Sequence, residues 1–149
     1  VTVAIEIADI ALWINRIAGE VADLQQRVYG AAMLETAMTQ GMPKQMPVAY
    51  VVMASEHAAN NEFDTGLMQQ VTVAFSVITA IRNAVDVTGM NSHQMLRDLR
   101  QSIMTAILNW TPDSQQYDIT QFVQGQLLHF ENAVLWWEDV FSTRIYLSV

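Results

Sequence analysis

Between residues 71 and 82 the side chains alternate, with Val71, Val73, Phe75, Val77, Thr79 and Ile81 on one side and Thr72, Ala74, Ser76, Ile78, Ala80 and Arg82 on the other. A period of two belongs to extended backbone, and a helix would scatter the same residues around its axis. A strand of that length with one strongly apolar face must sit in a sheet and be covered, which excludes an all-helical bundle. The chain has 149 residues, enough for one core that buries ~68–70% of the unfolded surface and too few for two.

The cover comes from helical stripes. Val3, Ile7, Ile10, Ile14, Ile17, Val21 and Leu24 recur every three or four residues, which predicts one amphipathic helix at the N-terminus. Ser92 is placed to cap a second long helix running to about Asn109, with Leu96, Leu99, Ile103, Ala106 and Ile107 buried and Arg97, Asp98, Arg100 and Gln101 wet. Trp110-Thr111-Pro112 then ends it, because proline disfavours helical backbone in the residue before it. Residues 26–30 predict a short strand and 31–38 a small helix, followed by breakers at Gly41, Pro43 and Pro47.

Residues 48–55 form a continuous apolar run, expected as a central strand buried on both faces. Residues 57–69 read as an exposed polar loop, and a second loop carries Asp86, Gly89 and Asn91. Residues 122–130 and 134–149 read as two strands linked by Glu131-Asn132-Ala133, a hairpin in which Asn takes a left-handed angle. The expected fold class is α+β, a single domain over residues 1–149, with a mixed or antiparallel sheet packed by helices in the order α-β-α-β-β-α-β-β.

Composition narrows the chemistry. Fifteen Asp and Glu against seven Lys and Arg give a formal net charge of −8, so grip on nucleic acid by counterion release is excluded as a general activity. The absence of cysteine removes disulfide scaffolds, thiolate metal sites and a cysteine nucleophile. The apolar stretch at residues 3–18 is interrupted by Glu6, Asp9, Asn15 and Arg16 and lacks a basic start, so neither a signal peptide nor a bilayer span is expected, and a soluble intracellular protein is.

Motifs for catalysis are missing. His57, His93 and His129 have no partner at metal-ligand spacing, and no phosphate loop, nucleophile elbow or dinucleotide fingerprint is present. Glu138 and Asp139 point to opposite faces of a strand, so they read as solvated carboxylates, not an acid/base pair. No cofactor, no metal and no catalytic residue is expected. The unusual feature is the last strand, where Trp136 and Trp137 load both faces and Phe141, Ile145, Tyr146 and Leu147 follow. Such a strand needs two covers, either its own helices and core or another subunit.

Trp110-Thr111-Pro112, then Phe122-Val123-Gln124-Gly125-Gln126-Leu127-Leu128, then Val134-Leu135-Trp136-Trp137-Glu138-Asp139-Val140-Phe141 resemble the C-terminal part of the phage tail terminator family. Arg27-Val28-Tyr29-Gly30-Ala31-Ala32 and Pro47-Val48-Ala49-Tyr50-Val51-Val52 resemble its N-terminal part in order and spacing. In the terminal turn this chain has Ala133 where other members carry Gly, a departure that touches turn geometry.

The resemblance implies a non-enzymatic virion protein in host cytoplasm during assembly and afterwards at the head-proximal end of the tail. Such a protein forms a homo-oligomeric ring, usually hexameric, that caps the tail tube protein, stops its polymerisation and presents a surface to the head–tail connector protein. DNA passes through the ring without being specifically bound, and no membrane is involved. On this reading Trp136, Trp137, Phe141 and Arg144 are the expected subunit or tail interface, and Glu62 and Asp64 the expected acidic loop facing the lumen, where they repel phosphates. The alternative is a head–tail connector or adaptor that never caps a polymer, and a weaker one a small enzyme or ligand-binding domain with its pocket between sheet and helices.

Overall fold

A computed structural model of the protein describes residues 8–82 and 90–148. The order of elements is α1 (Ala11–Glu20), a short 3₁₀ turn (Ala22–Leu24), β1 (Val28–Tyr29), α2 (Ala31–Thr39), β2 (Val48–Ala58), β3 (Met68–Arg82), α3 (Met90–Ile107), β4 (Gln121–Glu131) and β5 (Val134–Ser148). The strands form one sheet in the order β1-β2-β3-β5-β4. Only the β1·β2 pair is parallel, and the other three pairs are antiparallel. The domain is therefore α+β with the expected element order.

Alternation at 71–82 works as its pattern requires. Val71, Val73, Phe75, Val77 and Ile81 all enter the larger core cluster. They lie beside Ile145, Thr143, Phe141, Asp139 and Leu135 of β5 respectively, and Phe75 stacks on Phe141 with ring centroids 5.8 Å apart. Helices α1 and α3 cover this face of the sheet. Trp13 is their hub: it is fully buried and meets Phe75, Trp110 and Tyr117 at 5.1, 6.2 and 5.4 Å. Its indole N–H donates to Thr120 Oγ1 at 3.0 Å, so the polar edge of the ring is satisfied inside the core.

The opposite face is covered at one end only. There α2 brings Ala37 onto Val48, Tyr50, Ile78, Ala80, Val134 and Trp136. Trp136 stacks on Tyr50 at 6.2 Å. Trp136 and Trp137 thus do point to opposite faces, one under α2 and one toward α3.

Several expectations change. The N-terminal stripe is not one helix: Val3 and Ile7 lie outside the described residues, α1 ends at Glu20, and Val21 is extended before the 3₁₀ turn. The predicted strand at 26–30 shrinks to two residues, since Gln25 and Gln26 have positive φ. Ser92 lies inside α3 and does not cap it. Asp86 and Gly89 are outside the described residues. The polar loop is shorter than 57–69, because β2 continues to Ala58 and β3 begins at Met68. The terminal hairpin link is two residues, Asn132 and Ala133, both with positive φ (54° and 59°), the arrangement that matches strand twist in two-residue turns.

Residues 48–55 were expected to be buried throughout. Only Val48 to Val51 are, and from Met53 onward β2 is exposed. The reason is strand order: β1 reaches only Ala49 and Tyr50, leaving the rest of that side of β2 without a neighbour among the described residues.

Candidate assembly surface

The largest departure from the sequence reading lies in β4. All eleven of its residues are exposed, including Phe122, Val123, Leu127, Leu128 and Phe130. β4 stands at the end of the sheet and pairs with β5 alone. Unpaired backbone groups on such an edge are a template for another strand, and proteins ordinarily guard them with lysine, proline, bulges or a covering element, of which β4 carries only bulges. β4 contains no Lys, Arg or Pro.

Its faces are sorted by two irregularities in pairing, between Phe122 and Gln124 and between Leu127 and His129. With Val123 and Leu128 as the extra residues of these bulges, the remainder alternate cleanly. Phe122, Gly125, Leu127 and Phe130 lie opposite Phe141, Asp139, Trp137 and Leu135, on the side of α1 and α3. Gln124, Gln126, His129 and Glu131 lie opposite Val140, Glu138, Trp136 and Val134, on the other side. One face is apolar and one polar.

A buried charge ties β5, the strand that β4 pairs with, to α3. The Asp139 side chain is only 2% exposed. It accepts from Arg100 Nη2 at 2.8 Å, from Arg100 Nε at 3.0 Å and from the Trp137 indole N–H at 3.0 Å. The Arg100 guanidinium also lies over the Trp137 ring, 4.7 Å from its centroid. Gly125 is what lets β4 close over this group: a Cβ there would stand 2.6 Å from Asp139 Oδ1 and 3.0 Å from Arg100 Nη2. The sequence reading of Asp139 as a solvated carboxylate and Arg100 as wet helix surface is thereby corrected. Each looked exposed in its own segment, and they satisfy one another across the fold.

Glu138, on the opposite face as expected, accepts from Ser76 Oγ at 2.8 Å and from Gln126 Nε2 at 2.7 Å. This polar row crosses three strands, and no helix among the described residues covers it.

The other expected site residues are spread out. Phe141 is fully buried and Trp136 4% exposed within the single chain. Trp137 is partly covered, and Arg144 is exposed and ion-paired with Asp118 at 2.9 Å. Glu62 and Asp64 are exposed in the loop at 59–67. Asn61 organises that loop: its amide donates to the carbonyls of Phe63 and Gly66, and its oxygen accepts from the Met68 N–H at 3.1 Å. This tip lies at the end of the sheet away from α2.

Among the described residues no group of three or more His, Cys, Asp or Glu is placed to hold a metal. His57, His93 and His129 are exposed on three different elements. A cleft of about 320 Å³ between α2 and the sheet is lined by Arg27, Tyr29, Lys44 and Tyr50 among others. Burial, then the neighbouring Tyr29, push the Tyr50 phenol above its usual pKa. No helix among the described residues is long and apolar enough to cross a membrane.

Fold and surface together define a class: an α+β sheet domain with an open, two-faced edge strand among its described residues. The sequence profile of the family described as "Phage tail terminator protein" matches residues 3–148, and the chain belongs to that family. It is a structural, non-enzymatic component of a virion tail. No curated protein matches the chain. Among solved structures, a chain described as "Virion of native gene transfer agent (GTA) particle" is similar in fold, with a TM-score of 0.56 at 16% sequence identity, covering 97% of this chain and 100% of that one.

Proposed function

We propose that this protein caps the head-proximal end of the tail tube as a closed ring by the simplest geometric route: one end of the ring docks on the last tube subunits and the other offers them nothing to extend. Family membership supports the role, and the observation that carries the ring is β4, an amphipathic strand left entirely exposed. Head-to-tail contacts of that kind close into rings when the rotation between copies permits.

The two ends of the sheet support a one-way stop because they differ. One is capped by α2 over Tyr50 and Trp136, and the other carries the Asn61-held tip with Glu62, Phe63 and Asp64. The ring's hexameric state, its docking on tube protein and its joining to a connector all belong to this proposal. Of the four β5 residues assigned to contacts, Trp137 and Arg144 retain surface for a partner, whereas Trp136 and Phe141 act from inside by backing the strand.

Adding the protein to polymerising tube protein tests the role. Substoichiometric amounts should shorten the tubes seen by electron microscopy; unchanged lengths with the protein bound at tube ends would make it an adaptor. Glu62 and Asp64 are proposed to face the passage used by DNA. Replacing both with Lys should leave tails assembled and slow ejection most at low salt, where electrostatic attraction is least screened; equal ejection at low salt removes that assignment.

A further inference from the structure

The exposed edge of β4 has a counterpart on the same molecule. On the far side of the sheet, β2 beyond Tyr50 pairs with β3 on one side and has no neighbour on the other among the described residues, because β1 pairs only with Ala49 and Tyr50. Residues 52–58 are thus a second open edge, also free of Lys, Arg and Pro. We propose that β4 of one copy pairs with residues 52–58 of a second copy, so that the sheet continues from subunit to subunit. This rests on the ring reading above and names the surface that builds it.

Direction is the first argument. β2, β3, β5 and β4 are each antiparallel to the next, so β4 runs against β2. Copies related by rotation about an axis along the strands keep every strand direction, and the β4·β2 junction is then antiparallel like the pairs inside each copy. The join repeats without change and uses both edges. Pairing β4 with β4 across a two-fold axis would stop at two copies and leave each β2 edge open.

Sidedness is the second argument, because a continuous sheet must carry the same face across the junction. Phe122, Leu127 and Phe130 face the side of the large core, the side on which Val51 and Met53 of β2 pair with Val77 and Phe75. Gln124 and Gln126 face the other side, with Ser55 and His57, which pair with Ala74 and Thr72. Phe122, Leu127 and Phe130 thus meet a side carrying Met53 and Ala58, and Gln124 and Gln126 a side carrying Ser55 and His57, with Glu56 on the first side and Val52 on the second as the exceptions. With α1 and α3 on the first side, the wider outer radius accommodates these two helices, while the short α2 covers one end of the inner side. The uncovered row of Ser76, Glu138 and Gln126 then faces the axis.

The chain's lack of cysteine makes crosslinking a clean test. Ser55→Cys on β2 is combined in turn with Gln124→Cys, Gln126→Cys and His129→Cys on β4, all exposed, and treated with a short bis-maleimide, free and on tubes. At least one combination should give a ladder of dimer, trimer and higher species ending in a closed ring, while each single variant stays uncrosslinked. Dimers from a β4 cysteine alone would overturn the proposal in favour of two-fold pairing. Rings in native mass spectrometry with no crosslink in any combination would also overturn it while leaving the capping role intact. A single copy at the tube end would overturn both.

Discussion

β3 and β4 belong to one sheet, separated only by β5, and both are rich in apolar residues. β3 turns its large side chains into the core, where Phe75 and Ile81 are sealed. β4 leaves Leu127 and Phe130 more than half exposed. Apolar surface in the first strand is consumed by folding; in the second it remains after folding is complete. If β4 is the assembly edge proposed above, stability and association are carried by different strands, and each can be altered without the other.

Phe75→Ala should have the largest effect on folding. Losing a ring between Trp13 and Phe141 is expected to cost about 3–5 kcal/mol in urea unfolding, through lost burial and the cavity left behind. Arg100→Met comes next, at about 3 kcal/mol by the same measurement, because it leaves the Asp139 carboxylate buried without its cation. A cost near zero would mean that Asp139 reaches water and that the pair does not hold β5 to α3.

Ala133→Gly should act in the opposite direction. Ala133 holds a φ of 59°, which an L side chain resists, and glycine there is expected to raise stability by up to about 1 kcal/mol. Smallest of all is Phe130→Ser, expected to move the unfolding midpoint by no more than the equivalent of about 0.5 kcal/mol while weakening ring assembly in native mass spectrometry. If that variant unfolds as readily as Phe75→Ala, the division of labour between the two strands is wrong.

The strand at 71–82 and the stripe of α3 were legible because their patterns are local: each residue's environment repeats with the period of its own backbone. β4 was legible as a strand but not as an edge. Its exposure follows from β5 inserting between it and β3, a fact of strand order that no window of sequence contains. Two bulges also hide its sidedness, since Phe122 and Val123, then Leu127 and Leu128, read as apolar pairs until one of each is set aside. Trp13 fell off the predicted stripe although it is the centre of the core, because its partners come from β3 and from the segment after α3. Asp139 failed for the same reason: its cation lies 39 residues away.

The clamp of Asp139 on Arg100 also determines how the domain bears load. A neighbour pulling along the length of β4 shears its ladder to β5, so that many hydrogen bonds resist together, whereas a pull across the strand would peel them one after another. At mid-strand, where Gly125 pairs with Asp139 of β5, tension would reach Arg100 and α3 through the Asp139 ion pair. The strand with the least burial of its own is thereby linked, through β5, to a helix of the main core.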